Sequence, residues 1–192
     1  EESLRKLGTI RKEGYAFTVD LLGEVAVSEK ESETYVDRYI ELVQVLAREV
    51  PKWSEAAPLV DGHLGEESPV NISVKLSALD SQIRPVSADH AARRLSERLS
   101  RILREAVKVG AFVNVDMEDT AKVDLTLEVL RRVYGSTEFR DYERVGLVLQ
   151  AYLRRTENDL RQLLEWLPKH RARVAIRLVK GAYWDTETIH AL

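Results

Sequence analysis

The sequence predicts an α/β fold in which five parallel strands alternate with helices. Two observations support this class. Five short apolar segments are each followed by a longer segment whose apolar residues recur at helical spacing. Such alternation is typical of right-handed βαβ units that build a parallel sheet. No Gly-x-Gly-x-x-Gly follows the first strand and no Gly-x-x-x-x-Gly-Lys occurs, so part of a barrel is favoured over a nucleotide-binding open sheet.

Composition indicates one domain over residues 1–192 with balanced charge. Of the 192 residues, 44% are hydrophobic, which is enough for a substantial core. The net charge of -3, from 29 basic and 32 acidic residues, offers no basic face for nucleic acid. Cysteine is absent, which excludes disulfides, zinc thiolate sites and thiol catalysis and fits a reducing compartment. No apolar run reaches the roughly 18 residues of a membrane-spanning helix, so a soluble protein is expected.

The elements follow from apolar patterning. Strands are predicted over residues 15–20, 70–76, 111–116, 145–151 and 173–179. Helices are predicted over residues 1–13, 28–48, 87–109, 121–134 and 156–167, and from residue 186 onward. The segment 51–68 contains two prolines and two glycines and is expected to be a surface loop. The last strand begins as an unbroken apolar run from Val174, which is typical of a strand buried on both faces.

Capping residues and helix breakers define several helix ends. Ser28 and Glu31 match a capping box, in which the Ser28 side chain accepts a hydrogen bond from the Glu31 amide. Pro51 and Pro168 are expected to end the helices that precede them. Gly110 is suited to the left-handed position that follows a helix. These signals support the alternation of strands and helices.

Polar side chains recur at the carboxyl ends of the predicted strands. They are Asp20 and Glu24, Lys75, Asp116 and Glu118, Gln150, and Arg177, Lys180 and Tyr183. In a parallel barrel these ends form one rim, on which active sites are built. Gly181 allows close backbone approach, and Tyr183 and Trp184 add flat side chains with polar groups. The last strand end therefore fits an anionic, aromatic ligand.

Each of these residues also has a structural interpretation. Lys75 fits a solvated lysine, and Asp116 fits the cap of the following helix. The amide of Gln150 follows three apolar residues and must be satisfied by a ligand or by a neighbour. A structural Arg177 would need a buried acid such as Asp116 beside it. The four histidines show no ligand spacing, so no metal site is predicted.

Five segments in order resemble the proline dehydrogenase family, flavoenzymes built on a distorted (β/α)8 barrel. The matching segments are residues 17–24 (FTVDLLGE), 73–79 (SVKLSAL), 115–119 (VDMED), 148–152 (VLQAY) and 177–185 (RLVKGAYWD). One short motif would be a weak signal, but five motifs in order over residues 14–187 are a specific one. The resemblance implies oxidation of L-proline to Δ1-pyrroline-5-carboxylate by hydride transfer from proline C5 to N5 of FAD. It also implies a membrane quinone as electron acceptor.

The resemblance assigns roles to the strand-end residues. Lys75 would hold the proline carboxylate with Asp116 as its charged neighbour, and Tyr183 would pack on the substrate. Arg177 would lie near flavin N5, so Asp116 and Arg177 are the catalytic candidates. Glu24 resembles the family's gate residue. The residues expected to contact the flavin are Met117, Gln150 (at the pyrimidine side), Arg177, Val179, Lys180, Gly181, Ala182 and Trp184.

The family barrel has further strands, a carboxylate-binding arginine pair and a closing helix. The resemblance therefore implies that residues 1–192 form about the first five βα units of a truncated (β/α)8 barrel that is inactive alone. The missing barrel segment, a fused pyrroline-5-carboxylate dehydrogenase, a homo-oligomer and a cytoplasmic location with peripheral contact to the inner membrane are all compatible with the family. Two other functions stay open. They are a different flavin- or phosphate-binding barrel acting on a small amino or imino acid, and a non-catalytic half-barrel that binds a small acid.

Overall fold

A five-stranded sheet and six longer helices make up most of the computed structural model. The structure describes residues 2–21, 26–53, 61–62, 65–66, 68–83, 88–170 and 173–190 of the chain. Its strands are β1 (Val19–Asp20), β2 (Asp61–Gly62), β3 (Gly65–Glu66), β4 (Asn71–Val74), β5 (Phe112–Val115), β6 (Val145–Gln150) and β7 (Ala175–Val179). Its α-helices are α1 (Glu2–Lys12), α2 (Glu29–Glu49), α3 (Leu76–Leu79), α4 (Ala88–Val109), α5 (Val123–Tyr134), α6 (Thr156–His170) and α7 (Trp184–His190).

The sheet has the strand order β1-β4-β5-β6-β7, and every neighbouring pair is parallel. Helices connect consecutive strands of this sheet, which confirms the predicted α/β class. The pairing register places Asp20, Ser73, Asn114, Gly146 and Ala175 in one row across the sheet. Because side chains alternate between the two faces of a strand, this row and the residues two positions further along share one face.

The first strand is shorter than predicted, and a hairpin was missed. β1 contains two residues, because the chain before it leaves the sheet and Phe17 packs edge-to-face on Trp53, with ring centroids 6.0 Å apart. Within the predicted surface loop 51–68, β2 and β3 form a two-stranded antiparallel hairpin. A further unpredicted element is α3, which follows β4 directly and is buried along its whole length. These short elements lack a sequence period long enough to reveal them.

Most helix ends agree with the capping signals. The Glu31 amide donates to Ser28 Oγ at 3.2 Å, and the Glu31 carboxylate accepts from the Val27 amide at 2.9 Å. Gly110 has a positive φ of 68° after α4. The prediction for Pro168 was wrong, because α6 continues through it to His170. This proline lies in the last turn, where few helical hydrogen bonds remain to be lost, and the His170 ring stacks on Trp166 at 4.6 Å.

The core lies between the sheet and helices α2, α4 and α5. The inward-facing residues of α4, Leu95, Leu99, Ile102, Leu103 and Ala106, are all 0% exposed. Full burial of each leucine or isoleucine contributes about 1.5–3 kcal/mol. Ile72, Val74, Val113 and Val115 on the helix-facing side of β4 and β5 are also 0% exposed. Among the described residues, no helix combines the length and apolar character needed to cross a bilayer.

The expectation that the last strand is buried on both faces was wrong. β7 pairs with β6 and forms an edge of the sheet, and Leu178 remains 59% exposed. The side chain of Arg177 is 45% exposed. An edge strand pairs with a neighbour along one side only, so its side chains can remain in contact with solvent. The charge of Arg177 is therefore not a buried one.

Candidate functional site

The sheet face opposite the helices carries a cleft at the carboxyl ends of β4, β5, β6 and β7. Its volume is about 420 Å³, within the range of small-molecule sites. The residues that line it are Lys75, Asp116, Met117, Val148, Gln150, Arg177, Val179, Lys180, Gly181, Ala182 and Tyr183. Apart from Val148, each of these residues was predicted from the sequence as part of a site. The structure therefore brings the predicted residues of four strand ends to one place.

Among the predicted site residues that the structure describes, Trp184 does not line this cleft. Trp184 is the first residue of α7, is 61% exposed and packs edge-to-face on Tyr152 with ring centroids 5.7 Å apart. Glu24 lies outside the described residues. The roles assigned to both residues stay predictions, as do the individual roles of the residues that line the cleft.

Two carboxylates and two cations meet at the cleft. Lys75 Nζ forms an ion pair with Asp20 and lies 3.7 Å from Asp116 Oδ2. Arg177 Nη1 lies 3.7 Å from Asp116 Oδ1. Asp116 thus stands between the two cations. Four side chains that are distant in the chain form a cluster whose formal charges cancel, and such a cluster can exchange partners with a zwitterionic ligand.

Neighbouring polar side chains hold Asp116 in place. Ser73 Oγ donates to Asp116 Oδ1 at 2.8 Å, and Asn114 Nδ2 donates to the same oxygen at 3.0 Å. Gly146 is the partner of Asn114 on the neighbouring strand β6. A Cβ added at Gly146 would lie 2.8 Å from Asn114 Oδ1, so a larger residue there would displace the Asn114 side chain. Sequence reasoning missed Ser73 and Asn114. The spacing of two between each of them and a predicted residue, Lys75 or Asp116, was the signal that could have identified them.

Gln150 ends β6 and binds the segment that follows β7. Its Nε2 donates to the Glu118 carbonyl oxygen at 2.8 Å, and its Oε1 accepts from Tyr152 OH at 3.2 Å and from the Ala182 amide at 3.3 Å. The Tyr183 amide in turn donates to Tyr152 OH at 3.2 Å. The buried amide is therefore satisfied by neighbours, and one Nε2 proton remains for a ligand.

The packing of Tyr152 against the segment after β7 also requires a glycine at position 181. Its φ of 137° lies in a region that favours glycine, and a Cβ at this position would overlap the ring of Tyr152. The close approach predicted from the sequence is thus made by an aromatic ring of the protein. Tyr152 was not among the predicted site residues, although its ring shapes the wall of the cleft.

Tyr183 and Arg177, two polar residues in or just after β7, differ in their environment. Burial raises the pKa of Tyr183 to about 12, and the carboxylates of Glu118, Asp119 and Asp116 add to the effect. Its hydroxyl therefore remains a hydrogen-bond donor at neutral pH. Arg177 makes no hydrogen bond with the described part of the chain, so most of its donors are available to a ligand.

The cleft suits a flat ring system that carries an anionic tail. Met117, Val148 and Val179 provide the apolar part of its lining. Arg177 and Lys180 bring positive charge to the lining, and Gln150, which also lines the cleft, has one further Nε2 proton to donate. An aromatic ligand with carbonyl acceptors and a phosphate group would match these partners.

Known proteins resemble the chain over nearly its whole length. A family model described as proline dehydrogenase matches residues 3–192. The chain is 32% identical over 190 residues to proline dehydrogenase of Deinococcus radiodurans, a match that covers 98% of this chain and 51% of that protein. It is 27% identical over 186 residues to the bifunctional protein PutA of Escherichia coli strain K12, a match that covers 97% of this chain and 13% of that protein. The chain thus spans about half the length of the first relative and far less of the second.

Solved structures share the fold. Proline utilization A from Bdellovibrio bacteriovorus, inactivated by N-propargylglycine, superposes with a TM-score of 0.94 at 44% identity, covering 99% of this chain and 20% of that chain. Proline utilization A from Corynebacterium freiburgense superposes with a TM-score of 0.81 at 29% identity, covering 100% of this chain and 18% of that chain. The arrangement of strands and helices is therefore one that these proteins contain.

Proposed function

The chain belongs to the proline dehydrogenase family and has its barrel-like α/β fold, and we propose that it takes part in FAD-dependent oxidation of L-proline to Δ1-pyrroline-5-carboxylate. One observation carries the proposal: Lys75, Asp116 and Arg177 meet in a cleft of about 420 Å³ at the carboxyl ends of the strands. Bound FAD would supply the acceptor for the hydride that leaves proline C5. The protein supplies binding, orientation and charge.

Lys75 is suited to bind the substrate carboxylate. Proline is a zwitterion, so its carboxylate needs a cation and its ring nitrogen needs a carboxylate nearby. The Lys75 ammonium has three donors, and only Asp20 and Asp116 lie close to it among the described carboxylates. A substrate carboxylate could take the third donor while Asp116 faces the ring nitrogen. Tyr183, whose hydroxyl is protonated at neutral pH, would pack beside the ring.

The remaining lining residues fit the cofactor. Arg177 would face the part of the ring system on which negative charge develops, where its guanidinium would stabilise that charge. The free Nε2 proton of Gln150 would bind a carbonyl oxygen of the pyrimidine edge. The turn from Lys180 to Ala182 would follow the ribityl and phosphate part of the cofactor, with Met117 against the ring system.

We propose a membrane quinone as the electron acceptor, which rests on the family membership. Peripheral contact with a membrane would follow from that acceptor. Relatives described as bifunctional support a parent protein with a second activity, such as pyrroline-5-carboxylate dehydrogenase. A homo-oligomer stays a prediction.

Absorption spectroscopy of the purified protein tests the proposed function. Bound flavin absorbs near ~450 nm, a property of the cofactor, and this band should bleach when L-proline is added without oxygen. A protein without this band would support the non-catalytic half-barrel. A band that bleaches with another small amino or imino acid, but not with proline, would support the other flavin barrel.

Lys75→Met tests substrate recognition. The change removes a charged hydrogen bond worth roughly 1.5–3 kcal/mol to the proline carboxylate, so the KM for proline should rise while kcat changes less. Steady-state kinetics of the holoenzyme measures both. Lys122→Met is the matched control, because Lys122 pairs with Asp119 outside the cleft. Unchanged proline kinetics in Lys75→Met would make this lysine structural.

A further inference from the structure

One glutamate joins α7 to the segment that follows β5. Glu187 lies in the middle of α7, and its Oε1 accepts a hydrogen bond from the Thr120 amide at 2.6 Å. Its Oε2 accepts from the Thr120 hydroxyl at 2.5 Å. The two residues are 67 positions apart in the chain, and both are partly buried. One carboxylate thus binds both donors of a single residue, through hydrogen bonds of the stronger, charge-assisted kind.

The Thr120 side of this contact is held in place by its neighbours. Glu118, two residues earlier, is 4% exposed, and its carboxylate accepts from the amide and the hydroxyl of Ser77 on α3. The Glu118 carbonyl oxygen accepts from Gln150 Nε2 at 2.8 Å. The segment that leads to Thr120 is therefore fixed to α3 on one side and to the end of β6 on the other.

Apolar burial contributes little to the attachment of α7 in the described structure. The helix has seven residues, and isolated helices of this length are not stable in water. Its large apolar side chains remain in contact with solvent, since Trp184 is 61% exposed and Ile189 is 71% exposed. Polar contacts must therefore hold α7 in place, and the one made by the middle of the helix is that of Glu187 with Thr120.

Glu187 is also connected to the cleft through its own backbone. Its amide donates to the Tyr183 carbonyl oxygen at 2.9 Å. The Tyr183 amide donates to Tyr152 OH at 3.2 Å. Tyr183, which lines the cleft, is thus held on its amide side by the segment after β6 and on its carbonyl side by α7. If α7 moves away from Thr120, the second of these attachments moves with it.

We propose that Glu187 is a positioning residue that, by binding both donors of Thr120, holds α7 and thereby keeps Tyr183 in the cleft where the substrate is contacted. The inference rests on the proposed function, because it deepens the substrate contact assigned to Tyr183. Without Glu187, only a fraction of the molecules has Tyr183 in place, and the apparent affinity for proline falls by that fraction. Bound proline restores the arrangement, so turnover at saturation changes less.

Hydrogen–deuterium exchange of the purified protein tests the contact without substrate or cofactor. Glu187→Met keeps side-chain length and helix propensity but removes both acceptors. Exchange at Thr120 and over residues 184–190 should accelerate about tenfold or more, the equivalent of one charge-assisted hydrogen bond. Unchanged exchange at both places would overturn the proposal.

Glu187→Gln is the conservative variant for the same experiment. The amide oxygen of the new side chain can accept from the Thr120 amide, and its nitrogen can donate to the Thr120 hydroxyl oxygen. This variant should keep most of the protection that Glu187→Met loses. If the two variants exchange equally fast, the negative charge of Glu187 matters rather than its hydrogen-bonding geometry, and the positioning role is contradicted.

Steady-state kinetics of the holoenzyme tests the link to the substrate. Glu187→Met should raise the KM for proline about two- to tenfold with kcat within about twofold, whereas Glu187→Gln should stay close to the wild type. Asp185→Met is the matched control, because Asp185 is an exposed acid in the first turn of the same helix. The control should leave both constants unchanged. Equal increases in KM for Glu187→Met and Asp185→Met would contradict the inference.

A double-mutant cycle with Tyr183→Ala separates positioning from a general loss of stability. If Glu187 acts through Tyr183, Glu187→Met should raise KM no further once the Tyr183 ring has been removed. Additive effects on KM would show that Glu187 does not act through this ring. A lower thermal unfolding midpoint with an unchanged KM would make Glu187 a purely structural residue.

The outcomes also distinguish this inference from the proposed function. A wild-type protein that neither oxidises proline nor bleaches with it contradicts the proposed function, and the exchange comparison still decides whether Glu187 holds α7. A wild-type protein that oxidises proline, with a Glu187→Met variant of identical KM, contradicts only the role of Glu187.

Discussion

Asp116 and Arg177 both line the cleft, and the distance between them indicates how strongly they interact. The 3.7 Å between Nη1 and Oδ1 is longer than a hydrogen bond, and the Arg177 side chain is 45% exposed. Ion pairs of this kind contribute at most about 1 kcal/mol to stability. Asp116 is already held by Ser73 and Asn114. Arg177 therefore contributes little to the fold, and its charge is available to a ligand.

Arg177→Met should impair the reaction far more than the fold. The rate constant for flavin reduction by proline should fall roughly 100- to 1,000-fold, as for loss of a preorganised donor to developing charge. The flavin reduction potential should fall as well, whereas the free energy of unfolding should change by less than about 1 kcal/mol. Rapid mixing, potentiometry and thermal unfolding measure the three quantities.

Arg173→Met provides the control for this substitution. Arg173 precedes β7 and pairs with Glu143 at 3.5 Å, outside the cleft. Its replacement should leave the flavin potential unchanged. If Arg177→Met instead unfolds readily while the potential stays at the wild-type value, Arg177 is a structural partner of Asp116.

The segment after β7 is shaped by its contact with the segment after β6. Gln150 and Tyr152 bind the amides of Ala182 and Tyr183, and the Tyr152 ring occupies the space where a side chain at position 181 would lie. This packing brings the cleft wall and the start of α7 together. It also explains why a glycine is needed at position 181.

Gly181→Ala should therefore destabilise the protein by more than its backbone conformation alone predicts. The positive φ costs about 1–2 kcal/mol for an L residue, and displacement of the Tyr152 ring adds to that cost. Gly14→Ala is a matched control, because Gly14 has a φ of 89° and a Cβ added there would meet no other atom within 4 Å. Chemical denaturation measures both variants. Equal losses of stability would contradict the steric role of Tyr152.

Helices α2 and α4 are joined by a network of charges that reaches the end of α3. Asp80 is 0% exposed in its side chain and accepts from Arg94 Nη2 at 2.6 Å. Arg98 Nη1 donates to the Leu79 carbonyl oxygen at 2.7 Å and lies 3.9 Å from Asp80. Through Glu33 the network extends to α2. The strand end that carries Lys75 is thus fixed to the outer helices by α3.

Asp80→Asn should destabilise the whole domain by roughly 3–5 kcal/mol, since it leaves partly buried guanidinium groups without their carboxylate. Asp37→Asn, which removes an exposed partner of Arg101, should cost no more than about 1 kcal/mol. Urea denaturation followed by circular dichroism compares the two. Similar losses of stability in the two variants would mean that burial does not strengthen the ion pairs of Asp80.

Local patterning in the sequence was enough to predict the class of fold, the five strands and the inward faces of the helices. Apolar residues repeat every two or every 3.6 positions in these elements, and that repeat is visible without knowledge of neighbours. The strand-end positions of Lys75, Asp116 and Gln150 follow from the same patterns. The family motifs then linked these positions to one reaction, which composition and spacing alone left open between several classes.

Contacts between distant segments were not visible in the sequence. Asp20 and Lys75 are 55 positions apart, and Gln150 and Ala182 are 32 apart. Their meeting depends on strand order and register, which packing of the complete sheet and helices decides. The exposure of Arg177 has the same origin. A periodic pattern specifies the face of an element on which a side chain lies, whereas its partner is set by three-dimensional packing.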